Sequence, residues 1–555
     1  MIALVVLVTI AILLLAYFTY GKFISKRLEI NDANITPACK INDGYDFVPA
    51  KSSLLIGQHF SAIAAAGPIV GPILAGLWFG WVPAILWIIL GSIFVGGVHD
   101  FSSLIASVRR KASSIGELVK EYMSPTSYIM FLVFTWLTLI YVIIAFTDIT
   151  AQSFATVSSG EAFGPSVATA SFLYLLLAVI LGVLLYKFKI NLKIATTTFI
   201  IIFVILIYFS SKLPAPVSEF LLGISIKNWE IILLAYCFIA SVLPMWLLLQ
   251  PRGYLGGWFL YLTIGISIIG SLFGGFSIQY PAFNLDGIQS LANGKYLFPL
   301  LFITVACGAC SGFHGIVSSG TTSKQIEKES DTRVVGYGAM LLEALVAVLA
   351  LGTVMILAKG DKSLAGDPNL IYANGIAKYM GLIGVDYNLA ISFALLAFAT
   401  FVYDTLDVCT RLARYIFQEL FGWTSKLSAY LATAITLSIP LVFLMMSKEK
   451  AYLSAWGVFG TSNQLLASLI LLAVTVWLAK EGKKIWYTAL PMLFMMVMTV
   501  WSLILLILPF IKSFPSFVDL NSNQMIAGIS GIILFVMSMF IYAEAFKLLI
   551  IKKQV

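Results

Sequence analysis

The sequence predicts an all-α protein that crosses a membrane about fifteen times. Three observations predict it: the composition, the recurrence of long apolar runs, and the uneven placement of Lys and Arg between those runs. Of 555 residues, 60% are hydrophobic and only 11% are charged, where soluble domains carry about 25% charged residues. Mean hydropathy is +0.98. These values exclude a soluble enzyme, a DNA-binding protein and a disordered scaffold. The balance of 34 Lys+Arg against 26 Asp+Glu leaves +8, but excess positive charge in a membrane protein serves orientation and does not predict a nucleic-acid partner. The five Cys lie far apart and predict no disulfide framework.

A bilayer core needs roughly 20 mostly apolar residues per helix. Runs of that kind fall at about 2–20, 53–78, 82–107, 128–157, 167–187, 195–213, 229–250, 255–276, 297–321, 334–358, 387–417, 427–446, 452–479, 486–510 and 524–548. The first has its positive residues (Lys22, Lys26, Arg27) behind it, so it reads as a retained anchor and not a signal peptide. With the N-terminus outside and the C-terminus inside, about 25 of the 34 basic residues fall on the cytoplasmic side, as the positive-inside rule demands. The longest polar stretches, 21–52 inside and 277–296 and 359–386 outside, are too short for an independent core. Any chemistry belongs to the helix bundle or its mouths.

An ionisable group near the bilayer centre costs about 2.5–3.5 kcal/mol, so each needs a partner or a purpose. All three histidines, His59, His99 and His314, fall in or beside apolar runs; the plain alternative for each is a packed imidazole bonded to a neighbouring helix. The second run contains Ala64, Gly67, Pro68, Gly71 and Pro72. Two prolines four residues apart remove backbone donors and free the carbonyls of Ala64 and Pro68, so the chain is expected to unwind over 67–72; a simple kink is the alternative. In the ninth run, Cys307, Gly308, Cys310, Ser311, Gly312, His314, Gly315, Ser318, Ser319, Gly320 and Thr322 predict a second interruption over 308–315. Unwound backbone survives in hydrocarbon only inside protein or along a wet cavity, and interrupted helices in oppositely oriented halves point to a transporter binding site. The C-x-x-C of Cys307 and Cys310 has no further ligand or βα setting and predicts neither metal nor redox use.

The two interruptions suggest an inverted repeat. On that plan 1–52 is an anchor helix and cytoplasmic loop, and 53–213 (helices 2–6) is the first repeat. Residues 214–296 form an inserted pair with an external loop, 297–479 (helices 9–13) the second repeat, and 480–555 two added helices. Other polar intrusions surround this core. His99 and Asp100 are placed near the inner surface, with an interfacial ion pair as their bland reading. Asp148 and Gln152 share a helix face and are candidates for handling a proton or cation. His99, Asp100, Asp404, Asp407, Arg411 and Arg414 read as a gating charge network, the last four at the inner mouth, with Asp407 and Arg411 paired across one turn. Glu343 is expected to be buried against an unnamed partner, and Glu544 to reach Lys547.

Several blocks resemble the carbon starvation protein A family. They are His59-Phe60-Ser61 through Gly67-Pro68-Ile69-Val70-Gly71-Pro72; Gly91 to Val98-His99-Asp100-Phe101-Ser102-Ser103, ending at Arg109; Ser311-Gly312-Phe313-His314 through Ser318-Ser319-Gly320-Thr321-Thr322-Ser323-Lys324-Gln325; and Tyr403-Asp404-Thr405-Leu406-Asp407 with Arg411 and Arg414. They spread from about residue 50 to 465, over most of the chain. The resemblance implies an inner-membrane nutrient carrier associated with peptide uptake, with relatives linked to pyruvate and cation coupling assumed. It also implies the five-plus-five inverted-repeat core of the amino-acid–polyamine–organocation transporters.

The sequence therefore predicts a secondary active importer, not an enzyme, working by alternating access in the cytoplasmic membrane, with proton or sodium symport and no cofactor. Peptide is the expected substrate and pyruvate or another small carboxylate the alternative. The substrate site is expected from His59, Ala64, Gly67, Pro68, Gly71, Pro72, Ser311, Gly312, His314, Ser318 and Ser319. Ion or proton coupling is expected from His59, Asp148, Gln152, His314 and Thr322. Two rivals remain from other classes: a metalloenzyme with His59, His99 and His314 around one ion, and a simple channel.

Overall fold

The computed structural model describes residues 1–44, 46–158, 160–286, 296–447, 450–513 and 522–551; residues 287–295 of the expected external loop 277–296 lie outside them. Among the described residues, twelve helices are long and apolar enough to cross a membrane, or up to fourteen if two bent pairs each count as one span. The only strands described are a two-residue ribbon, Val157–Ser158 with Glu161–Ala162. The helices form an inner and an outer set. Tyr387–Phe421 and Ala455–Lys480 are 94% buried over their apolar stretches, whereas Ile2–Arg27, Leu192–Ser210 and Trp486–Lys512 are 28% buried. Outer helices turn faces such as Leu4, Leu7, Ile201, Ile205 and Val497 outward, as a lipid-facing helix can because tails are as apolar as leucine.

Both interruptions are present, each displaced from its expected residues. The second span comprises Ser52–Ile63 and Gly67–Phe79, bent by 47° across residues 64–66. The stretch expected to be unwound, 67–72, is instead the opening of the second half-helix. Pro68 sits in its first turn, where a missing N–H costs nothing and the ring presets φ; Pro72 is accommodated one turn further on. The ninth span comprises Leu297–Thr304 and Gly312–Gly320, separated by residues 305–311. Gly312, His314 and Gly315 therefore lie on the second half-helix and not in the break.

The helix following each break carries a π-helical turn: Ser92–Gly96 between Trp81–Gly91 and Gly97–Arg109, and Arg333–Gly338 before Ala339–Met355. These turns pack together, with Tyr337 Oη donating to the Ile93 carbonyl at 3.3 Å.

One boundary differs in a way that matters for the site. Ile226–Val242 ends eight residues before the expected limit of 250 because Pro244 forces Leu243 into an extended conformation (φ −72°, ψ 151°). The next helix, Leu249–Phe273, accordingly begins early, with Gln250, Pro251 and Arg252 in its first turn and buried. Elsewhere Glu544 does not spend its charge on Lys547. It accepts from Ser124 Oγ at 2.7 Å and from Ser127 Oγ, at the start of Pro125–Phe154, where the helix dipole favours an anion.

Candidate functional site: two helix breaks in the core

The two breaks face each other. A Cβ added at Gly67 would strike Cys307, and one at Gly71 would strike the Thr304 carbonyl oxygen. Glycine is required at both places because backbone passes backbone without room for a side chain. Much of the freed polar backbone is answered by side chains from other helices. Trp87 Nε1 donates to Val305 O at 3.1 Å, Gln464 Nε2 to Phe302 O at 3.2 Å, and Thr405 Oγ1 to Ala62 O at 2.9 Å. Asn463 Oδ1 accepts from the Phe313 amide at 2.9 Å and bonds Ser311, capping the half-helix that carries His314.

Beside the breaks lie two buried clusters. In the first, His99 Nδ1 donates to Asp100 Oδ1 at 2.7 Å and His314 Nδ1 to Asp100 Oδ2 at 2.9 Å; His314 Nε2 faces Glu343 Oε2 at 3.2 Å. All four side chains are wholly buried, so His99 and Asp100 make their ion pair in the core and not near the inner surface. The partner of Glu343 is thus His314. Its carboxylate oxygens make no hydrogen bond.

The second cluster joins Arg252 to the Tyr387–Phe421 helix. Arg252 Nε meets Asp404 Oδ1 at 2.6 Å, its guanidinium also pairs with Asp407, and it donates to Tyr236 Oη at 2.7 Å and to Asp404 O at 2.9 Å. Tyr236 donates to Asp407 at 2.6 Å, and Ser61, just before the first break, donates to Asp404. This corrects the expected network at the inner mouth. The counter-ion of Asp404 and Asp407 is Arg252, and Arg411 turns instead to the Ala240 carbonyl at 2.8 Å, capping the truncated Ile226–Val242 helix. The expected Asp407–Arg411 pair gives way because a guanidinium on a facing helix reaches both carboxylates from one position. Of the four, Arg414 lines a vestibule.

The remaining predicted residues divide. His59 Nδ1 and Thr322 Oγ1 share a hydrogen bond of 2.8 Å, which ties the second span to the end of the ninth. Between them and Arg252 and Asp404 is a cavity of about 10 Å³, room for one water. Ser318 is buried with its hydroxyl unbonded, while Ser319 returns its hydroxyl to Gly315 O at 2.8 Å. Asp148 and Gln152 do share a face and bond at 3.3 Å. Asp148 also accepts the Tyr452 amide at 2.7 Å in the first turn of Ala451–Lys480, where an anion is stabilised by the helix end. They are bonded there and not to either imidazole.

A cavity of about 610 Å³ reaches Ser319 and Gly320 and is flanked by Lys324, Arg414, Glu117 and Glu419. By Gln152, Asp367 and Tyr452 there is a void of only about 10 Å³. Sequence reasoning missed Arg252, Asn463, Gln464 and Trp87. Arg252 could have been found as an arginine directly after Pro251, eight residues beyond the helix stop at Pro244; the other three look like ordinary residues of long helices.

Comparison with known proteins bears on this arrangement. The family model described as "Carbon starvation protein CstA" matches residues 1–364 and 362–502. A peptide transporter CstA of Helicobacter pylori is 34% identical over 89% of this chain and 80% of its own length. One of Bacillus subtilis is 32% identical over 86% of each. The pyruvate/proton symporter BtsT of Escherichia coli is 29% identical over 90% of this chain and 81% of its own. These relatives are named as transporters, not enzymes. A solved manganese transporter of Eremococcus coleocola aligns at 13% identity and a TM-score of 0.47, over 92% of this chain and 99% of that one; so distant a likeness carries no conclusion.

Proposed function

This chain belongs to the carbon starvation protein CstA family, and from that premise we propose that it is a secondary active importer of small peptides, driven by a proton or sodium gradient across the cytoplasmic membrane. The observation that carries the reading is the pair of opposed helix breaks, with a cavity of about 610 Å³ reaching Ser319 and Gly320 at the far end of the half-helix that follows the second break. Alternating access needs a central site closed to one side at a time, and broken helices at mid-membrane supply it with half-helix ends and unpaired backbone groups. The contrast between a cavity of about 610 Å³ by Ser319 and Gly320 and one of about 10 Å³ by Gln152, Asp367 and Tyr452 disfavours a channel. With the N-terminus outside and the C-terminus inside, the vestibule faces the cytoplasm. The breaks followed by π-helical turns in both halves support an inverted repeat of 53–213 and 297–479.

Peptide is favoured over pyruvate by the vestibule's chemistry. Lys324 and Arg414 stand with Glu117 and Glu419 around about 610 Å³, a volume typical of small-molecule sites. Both charge signs suit a zwitterion. Pyruvate remains the second reading because a relative is named a pyruvate/proton symporter and because half-helix N-termini bind carboxylates.

Proteoliposomes given labelled tripeptide or pyruvate, under an imposed proton or sodium gradient, test the proposal. Concentrative, gradient-dependent peptide uptake is expected, with His314→Ala abolishing it in protein that still folds. Gradient-independent equilibration of solute, or full uptake by His314→Ala, would overturn it.

A further inference from the structure

Among the described residues one group of three metal-capable side chains converges: Cys307, His314 and Glu343, whose ligand atoms all lie within 4.8 Å of one another. His59, His99 and His314, the trio a metalloenzyme would have needed, form no such group. We propose that Cys307 Sγ, His314 Nε2 and Glu343 bind a zinc-like divalent cation, and that this ion locks the second break against its neighbours and blocks transport.

Four features point to a ligand. Both Glu343 oxygens and His314 Nε2 are wholly buried and without a hydrogen bond, although 3.2 Å separates the imidazole from the carboxylate. Asp100 accepts from His314 Nδ1 at 2.9 Å, which fixes the ring so that the Nε2 lone pair faces the other two ligands. A carboxylate behind a ligating histidine is the usual orienting arrangement. Asn463 Nδ2 lies 3.7 Å from Cys307 Sγ, a donor placed to stabilise a thiolate. No Lys or Arg forms an ion pair with Asp100 or Glu343 among the described residues, so a divalent ion would meet charge that nothing else answers.

The donor set names the class of ion. Thiolate, imidazole and carboxylate together suit zinc or a close analogue and not magnesium or calcium, which take oxygen ligands. Bond lengths of about 2.0–2.3 Å put tetrahedral ligands about 3.5 Å apart, so the three atoms need close by only about 1 Å, leaving a fourth position for water. Cys307 lies in the break, His314 on the half-helix beyond it, and Glu343 on Ala339–Met355. An ion held by all three would join the moving break to a fixed helix.

Binding can be measured without transport. Purified full-length protein in nanodiscs should take up about one Zn²⁺ per chain, and Co²⁺ in its place should give a thiolate-to-cobalt absorption band. Cys307→Ser should abolish that band, and Cys307→Ser and Glu343→Gln should each weaken binding about tenfold or more. Cys310→Ser, altering a buried thiol outside the group, should leave binding intact, and unfolding temperatures would show that every variant folds. In proteoliposomes Zn²⁺ should inhibit uptake, with inhibition relieved in Cys307→Ser relative to that variant's own metal-free rate. No stoichiometric metal, binding retained in both ligand variants, or equal loss in Cys310→Ser would overturn the proposal. The blocking effect rests on the transporter reading; the binding does not.

Discussion

The two buried acid clusters differ in what neutralises them. Asp404 and Asp407 face a guanidinium, Arg252, that also bonds a tyrosine and a backbone carbonyl. Asp100 and Glu343 face only imidazoles. Arginine is always charged and offers only donors, so the first cluster is a permanent clasp between Leu249–Phe273 and Tyr387–Phe421. An imidazole offers a lone pair as readily as a proton. The second cluster, set against the opposed breaks, can therefore admit a cation where the first already contains one. Burial alone does not distinguish a structural charge from a functional one; the chemistry of the counter-ion does.

The contrast can be broken most directly at Arg252. Arg252→Met would strand two carboxylates in the core and should cost about 3–5 kcal/mol, seen as lost folded yield and a large fall in the unfolding temperature of the purified protein. Wild-type stability would end the clasp reading. Next in size is a paired comparison. Asp404→Asn removes one acceptor from a guanidinium and should cost about 1.5–3 kcal/mol, whereas Glu343→Gln, which removes a charge no guanidinium balances, should lie within about 1 kcal/mol of wild type or above it. Equal losses would erase the distinction.

Gly71→Ala should cost about 1–3 kcal/mol by overpacking. It should exceed Gly67→Ala, because Gly71 abuts the Thr304 backbone while Gly67 abuts a Cys307 side chain that can turn. Thermal unfolding of both variants would rank them.

The smallest expected effect lies outside the spans. Burial would raise the pKa of Glu329, but hydrogen bonds from Arg109, the Asn31 amide and Asn34 outweigh it and hold the carboxyl below its ordinary value. Its contribution is therefore fully present above an unfolded pKa of about 4.3 and is lost as pH falls through the lower folded value. Glu329→Gln should flatten that acid limb in a stability–pH profile, by about 1 kcal/mol or less.

Composition alone fixed the membrane class, and apolar runs placed most spans within a few residues, because a helix in lipid must satisfy its own backbone and so announces itself by length. Pro, Gly and His marked both interruptions for the same reason: each is costly in a span. What those signals lacked was position within the helix. Pro68 at a half-helix start and Pro72 inside the same half-helix look alike in sequence, and only the packing of Gly67 and Gly71 against 304–307 decided where the chain unwinds. Partner choice was equally hidden. Asp407 and Arg411 fit an i,i+4 pair on paper, yet Arg252, 155 residues away, reached Asp407 first. His99, Asp100, His314 and Glu343 were each visible as anomalies, but that they form one cluster depended on three helices meeting. Local sequence records which groups are expensive to bury; only the tertiary structure decides what each one is buried against.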